Sequence, residues 1–284
     1  VKDPQPRHSS SGLSWIIGAS TGIGADLAHT IAQHEPSTQL LLSARSTDKL
    51  NDVASQIRND TAAASYVLPF DMSGAVPTEA LQDQLAESNV YLNRVVINAG
   101  VCEYLDSNDL DIGAAENVMA TNYLGPMKIV RAVLPMLREA SSHGLRPSLV
   151  FVSSSVTYQS LPRAHAYGAS KAAMRYFVEC LKADLQKEGI HVQIVSPGFV
   201  DTPLTQVNDF PMPFLISSKE AAEKIYRGMQ TSVFDISFPK PFVWSLKAFA
   251  SLPTRLKFKL LGKMSRHEAP NKEKQMKNLG SESS

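Results

Sequence analysis

The chain has 284 residues, 43% hydrophobic and 19% charged, with 28 Lys and Arg against 27 Asp and Glu for a net charge of +1. That is the make-up of a globular protein with a sizeable core, and it gives no reason to expect nucleic acid as a partner. The two cysteines, Cys102 and Cys180, exclude a C-x-x-C zinc or redox site, and no run approaches the ~20 apolar residues of a membrane span.

Residues 1–12 are polar, lack the apolar centre of a signal peptide and are expected to be flexible; with so few cysteines, a reducing cytoplasm is the expected location. Apolar strand-like runs and helical patterns then alternate. Strands are expected at 13–18, 38–44, 65–70, 93–98, 149–153, 190–196 and 233–238. Helices are expected at 22–34, 47–59, 78–88, 109–120, 123–140, 164–188 (stopped by Gly189) and 219–231. Strands apolar on both faces and separated by helices imply a parallel sheet covered on both sides. The expected fold is therefore α/β: a doubly wound, Rossmann-type, mostly seven-stranded sheet in one domain spanning 13–238. Cys180 falls in an apolar helical pattern and reads as core, whereas Cys102 follows a loop motif and reads as close to a ligand.

Residues 239–270 form a basic amphipathic extension. From 239 to 266 there are seven cations, Lys240, Lys247, Arg255, Lys257, Lys259, Lys263 and Arg266, with Trp244, Phe249, Phe258 and several leucines between them and no acid. One reading is a helix on an anionic membrane; the favoured one is a helix covering the pocket mouth or an oligomer partner, since Pro239, Pro241 and Pro253 break any long helix. Residues 271–284 are polar and expected to be disordered.

The first strand runs into Gly18-Ala19-Ser20-Thr21-Gly22-Ile23-Gly24, where a helix begins. Glycines let the backbone turn tightly and approach a pyrophosphate, and the helix N-terminus offers free N–H groups. A P-loop would need Lys-Ser/Thr after the last glycine, and Ala25 stands there. The second strand ends Ser43-Ala44-Arg45, without the Asp or Glu that would bind a ribose 2′-hydroxyl. Arg45 can instead pair with a 2′-phosphate, so NADP(H) is predicted over NAD(H).

The helix near 164 carries Tyr167 and, four residues on, Lys171, which places both on one face. A phenol of pKa near ~10 is a poor acid–base group until a neighbouring ammonium lowers that value. Ser154 stands thirteen residues before Tyr167, at the end of the fifth strand, on the side of a parallel sheet where ligands bind.

With these residues in place, the sequence resembles the short-chain dehydrogenase/reductase family from 13 to about 238. Gly18, Gly22 and Gly24 match its glycine turn, although Ile17 replaces the usual Thr, and Ser20, Thr21 and Ile23 belong to that turn. Asp71 matches its adenine contact, Asn98-Ala99-Gly100 its motif beside the cofactor, and Pro197, Gly198, Val200 and Thr202 its nicotinamide segment. Asn122, Ser154, Tyr167 and Lys171 match the catalytic tetrad. The resemblance implies an oxidoreductase working on a carbonyl/alcohol pair, in which Tyr167 is general acid or base and Ser154 polarises the substrate oxygen. It further implies that Lys171 lowers the Tyr167 pKa and holds the ribose, that Asn122 supports a water relay, and that the protein is a homodimer or homotetramer.

Among Ser153, Ser154 and Ser155, the family spacing selects Ser154. His165, two residues from Tyr167, does not share its face and reads as a pocket-rim residue, and no histidine spacing suggests a metal. Phe210, Met212 and Phe214 suit either an apolar substrate surface or packing on the fold. The pocket walls are expected from 101–109, 157–165 and 202–218, leaving the substrate unidentified. Alternatives are epimerisation or dehydration at the same site, and a dinucleotide-binding regulatory or membrane-peripheral protein with little turnover.

Overall fold

Each strand of the chain sends alternate side chains to opposite faces, and here both faces are covered. The computed structural model describes residues 12–108 and 110–265. Strands β1 (Leu13–Ile17), β2 (Gln39–Ser43), β3 (Ala64–Val67), β4 (Leu92–Ile97), β5 (Ser148–Val152), β6 (His191–Pro197) and β9 (Asp235–Phe238) form a seven-stranded parallel sheet in the order β3-β2-β1-β4-β5-β6-β9. On one face lie helices α1 (Gly22–His34), α2 (Thr47–Asp60) and α7 (Ser218–Met229), whose Leu27, Ile31, Leu50, Ile57 and Ile225 pack with Ile16, Leu42 and Val150. On the other lie α3 (Thr78–Ser88), α5 (Gly125–Ser142) and α6 (His165–Leu185), whose Leu81, Ile129, Val133, Met174 and Val178 pack with Trp15, Val95 and Phe151. The expected doubly wound α/β fold is the fold of the chain.

The strand order reverses between β1 and β4. Loops leaving the two strands part there, and a crevice opens at their C-terminal ends. At the opposite end Arg94 of β4, fully buried, makes a two-pronged ion pair with Glu35 at 3.1 and 3.2 Å, and its Nη1 also donates to Ser14 Oγ. Ser46, Asp111 and Ser217 cap α2, α4 (Ile112–Met119) and α7 by accepting backbone N–H bonds.

Three expectations change. The helices expected at 109–120 and 123–140 are one rod: α4 passes through a wide π-type turn, Ala120–Leu124, into α5. The turn absorbs an extra residue without ending the helix and buries Asn122. The third strand ends at Val67, although the amides of Leu68 and Phe70 still donate to the Leu42 and Ala44 carbonyls. Cys180 is exposed: it is two residues from Val178, which α6 turns inward.

Beyond β9 the chain forms α8 (Lys240–Ala250) and α9 (Thr254–Met264), with Pro241 in the first turn of α8 and Pro253 between the two. The short strands β7 (Val200–Asp201) and β8 (Ile216–Ser217) pair beside the crevice. Of the expected terminal segments, 1–11, the end of the basic extension from 266 to 270 with Arg266, and 271–284 lie outside the described residues.

Candidate active site

Gly18 follows β1 with φ +87°, a left-handed conformation that L side chains rarely adopt, and a Cβ there would come within 2.5 Å of the Ala99 nitrogen. Gly24 lets α1 start directly against the Gly18 carbonyl, which also accepts a 2.9 Å bond from Asn98 Nδ2. Thr21, at the head of α1, makes no side-chain cap, and the first turn holds no acid. The helix therefore presents free N–H groups and its positive end to a cavity of about 390 Å³. Gly18, Ser20, Thr21, Gly22 and Ile23 line one side of that cavity, and Asn98, Ala99, Gly100 and Thr202 another. Arg45 and Asp71 line it too, with Asp71 bonded to Ser73 and held below the ordinary carboxyl range by those bonds. An uncapped helix end, bare backbone and a cationic rim fit a dinucleotide's phosphates and ribose.

A smaller chamber of about 100 Å³ continues from this cleft, sharing Ile23, Asn98, Gly100 and Thr202 with it and adding Ser154, Tyr167, Lys171, Pro197, Gly198 and Val200. Lys171 is buried and Tyr167 partly buried on the inner face of α6. The Lys171 Nζ donates to the Val152 carbonyl at 3.0 Å and stands 5.9 Å from the Tyr167 ring centre. Burial pulls the Lys171 ammonium down to about 8. Burial also pushes the Tyr167 phenol above its usual value, with Cys102 adding to the rise and a hydrogen bond with Ser154 opposing it. In this structure burial, not Lys171, sets the direction of the Tyr167 shift, the ammonium standing over the ring rather than beside the hydroxyl.

Ser154 opens a short 3-10 turn, where its Oγ accepts from the Val156 N–H at 3.2 Å. Its neighbours Ser153 and Ser155 are buried; Ser153 lines the same chamber, Ser155 the next cavity, and Ser154 alone lines both. Asn122 stands behind the chamber, not on its wall. Its Oδ1 accepts from the Val101 N–H at 2.9 Å, and its Nδ2 donates to the Val101 carbonyl and to Ser170 Oγ. These bonds pin the loop after Gly100 to α6; a Cβ on Gly100 would touch both Asn122 Oδ1 and Lys171 Nζ.

Ser154, Tyr167, Gly198, Leu204 and Thr205 are shared with a third cavity of about 580 Å³. Its walls are mainly apolar: Val156, Leu161, Phe199, Phe210, Phe242 and Leu246 are among them, and Met264 of α9 closes one side. Phe210 packs edge-on against Tyr104, whose hydroxyl donates to Asn208 Oδ1 at 2.8 Å, so the 202–215 segment is tied over the pocket. Phe214 is exposed at its outer end. His165 lines a separate cavity with Asp106 and Asp209. Among the described residues, no His, Cys, Asp and Glu cluster could hold a metal.

Several lining residues were not singled out in the sequence, although the basic extension was expected to cover the pocket mouth. Lys49, one turn into α2, shares the cleft rim with Arg45; its spacing from Arg45 was the available clue. Phe242, Leu246 and Met264 reach the pocket only through the path of α8 and α9. Arg175, eight residues after Tyr167, donates to Asp235 Oδ2 at 2.7 Å and Ser196 Oγ at 2.9 Å. Asp235 also accepts from the Tyr158 hydroxyl, whose ring lies between the Arg175 guanidinium (5.0 Å) and the Lys247 ammonium of α8 (4.5 Å).

A glycine-turned cleft at the switch point of a parallel sheet, joined through a Ser–Tyr–Lys chamber to an apolar pocket, defines an NAD(P)-dependent dehydrogenase or reductase. The short chain dehydrogenase model matches residues 14–210, and the chain belongs to that family of oxidoreductases. An "Uncharacterized oxidoreductase" of Myxococcus xanthus is 32% identical over 85% of this chain and 89% of its own length. "Dehydrogenase/reductase SDR family member 7B" of Danio rerio is 30% identical over 67% of this chain, which spans only 61% of that relative. The fold of a short-chain dehydrogenase from Sphingobium yanoikuyae, solved in complex with NADPH, superposes with a TM-score of 0.72 at 21% identity over 92% of this chain and 99% of that one.

Proposed function

We propose that the chain is an NADP(H)-dependent reductase of apolar ketones or aldehydes, with Tyr167 as its general acid. One observation carries the reading: Ser154 and Tyr167 line both the small chamber that opens to the glycine cleft and the apolar cavity beyond it. When bound along the cleft, NADPH supplies the hydride for the carbonyl carbon. The Tyr167 hydroxyl gives its proton to the carbonyl oxygen, and the Ser154 hydroxyl donates a second hydrogen bond to the same atom. The Tyr167 phenol is protonated at neutral pH, and burial raises its pKa further, which suits a proton donor. The Lys171 ammonium favours the phenolate that remains, and Asn122 positions the loop against which the cofactor and Lys171 are held.

The NADP preference rests on Arg45 and Lys49 at the cleft rim and on the lack of a carboxylate at Ser43 or Ala44. Asp71 is assigned to the adenine side, and Pro197, Gly198, Val200 and Thr202 to the nicotinamide side, of the same molecule. Tyr176, exposed on α6, with Leu124 and Met127 around the start of α5, supports pairing of two or four copies through these helices. A cytoplasmic location is supported by the free thiols of Cys102 and Cys180.

The test is NADPH consumption across a panel running from short polar to long-chain and polycyclic apolar carbonyls. Turnover should appear with the apolar members, and Tyr167→Phe should lose about a hundred-fold or more in kcat while still binding NADPH. Tight NADPH binding with no turnover across the panel would instead support a dinucleotide-binding regulator.

A further inference from the structure

We infer that α8 and α9 dock on an anionic phospholipid surface, so that the apolar pocket opens where poorly soluble molecules are dissolved. Arg255, Lys259 and Lys263 recur every four residues along α9 and share one exposed face. Leu261 of the same helix is buried on the other side. No acid occurs from 239 to 265, and none of the three cations has an ion pair among the described residues. Lys240 and Lys247 contribute less, since Lys240 donates to Ser237 and Lys247 sits over the Tyr158 ring.

Large apolar side chains accompany the cationic stripe. Phe258 is 63% exposed and Leu256 44% exposed on α9, and Trp244 is 67% exposed on α8. Exposed apolar side chains grouped beside a cationic stripe mark a contact surface more than singly scattered ones do. Aromatic rings with lysines and arginines suit the headgroup layer of a bilayer, where rings enter the acyl boundary and cations meet phosphate and serine carboxylate. The α9 surface also reaches the pocket, because Met264, 56% exposed, lines the cavity as well. Phe242 lines the cavity from α8 and stands 6.3 Å, centre to centre, from the exposed ring of Phe214. An apolar path thus leads from the outer surface to the cavity wall.

No described helix is long and apolar enough to cross a membrane; α8 and α9 would rest on its surface. The inference needs only the surface; turnover is read separately, so a protein that binds vesicles without reducing carbonyls would refute the enzymatic reading and leave this one standing.

The experiment is co-sedimentation of the full chain with vesicles of phosphatidylcholine alone and of phosphatidylcholine mixed with phosphatidylserine, at low and high salt. Binding should require phosphatidylserine and weaken with salt. Near such a surface each Lys or Arg is worth about five-fold, so Arg255→Gln/Lys259→Gln/Lys263→Gln should bind about a hundred-fold more weakly. That variant should keep its melting temperature and its turnover of a water-soluble carbonyl. The pair Trp244→Ser/Phe258→Ser should also weaken binding while keeping the preference for phosphatidylserine. Equal binding to both vesicles, or unchanged binding of the triple variant, would overturn the inference. So would capture by polyglutamate that the Trp244→Ser/Phe258→Ser pair leaves unchanged, which would assign the stripe to an acidic protein.

Discussion

Replacing Arg45 with Ser should separate the two nicotinamide cofactors kinetically. Arg45 is exposed at the end of β2, on the rim of the cleft with Ser46 and Lys49. A guanidinium bonded to a phosphate dianion makes charge-assisted bonds, but solvent and salt screen an exposed one, which puts the effect at the low end of that class. The expected result is a rise of about ten-fold in the KM for NADPH with kcat nearly constant. The KM for NADH should hardly move, because a ribose hydroxyl offers no charge to pair. Lys49 remains on the same rim, so Arg45→Ser/Lys49→Gln should cost NADPH about five-fold more. Initial rates with both cofactors at low and high ionic strength read all of this, and the NADPH preference of the unaltered protein should shrink with salt. Equal losses with NADPH and NADH would refute the reasoning, since they would mean that Arg45 serves a part both molecules share. An NADH preference in the unaltered protein would refute it outright.

Lys171 is buried with its pKa drawn down to about 8 from 10.5, so the folded protein binds fewer protons than the unfolded one between those values. Stability should rise across that window, and below it the charged Lys171 costs the fold ~3 kcal/mol, offset by ~1 from its bond to Val152. Lys171→Met should therefore be inactive yet about 2 kcal/mol more stable at pH 7, with the gain fading by pH 10 in denaturant titrations; a less stable variant at pH 7 would contradict this. Glu35→Ala leaves the Arg94 guanidinium charged, buried and unpaired, and should lower the unfolding free energy by about 3–5 kcal/mol, read from urea midpoints. Ser154→Ala should lower kcat about a hundred-fold, whereas Ser153→Ala and Ser155→Ala should stay near normal; a near-normal Ser154→Ala would move the polarising role elsewhere.

The strands were readable because residues such as Leu40, Leu41 and Leu42 must be apolar on both faces when helices cover both sides of a sheet. The glycine turn was readable because Gly18 needs a backbone angle other residues avoid. The Tyr167–Lys171 spacing was readable because a helix repeats locally. Cys180 was not, because an apolar neighbourhood in sequence spreads around a helix and only one side of it faces the sheet. The fate of the Tyr167 pKa was hidden as well: four residues bring an ammonium near the ring, but burial is set by elements far along the chain. The same holds for Phe242 and Met264, whose role in the pocket wall depends on where two short helices come to rest.

Helix α6 spaces Tyr167, Lys171 and Arg175 at intervals of four residues along one side. At 1.5 Å per residue, the first and last are about 12 Å apart. The same rigid rod thus fixes the proton donor, the ammonium beside it, and, through the Tyr158 ring gripped by Arg175 and Lys247, the seat of α8. Reaction centre and pocket wall are gauged from one ruler. Inserting a single residue between Tyr167 and Arg175 would rotate one relative to the other by about 100° and misalign both. By contrast, substitutions on the outer faces of α8 and α9 can alter what the protein meets without disturbing the chemistry within.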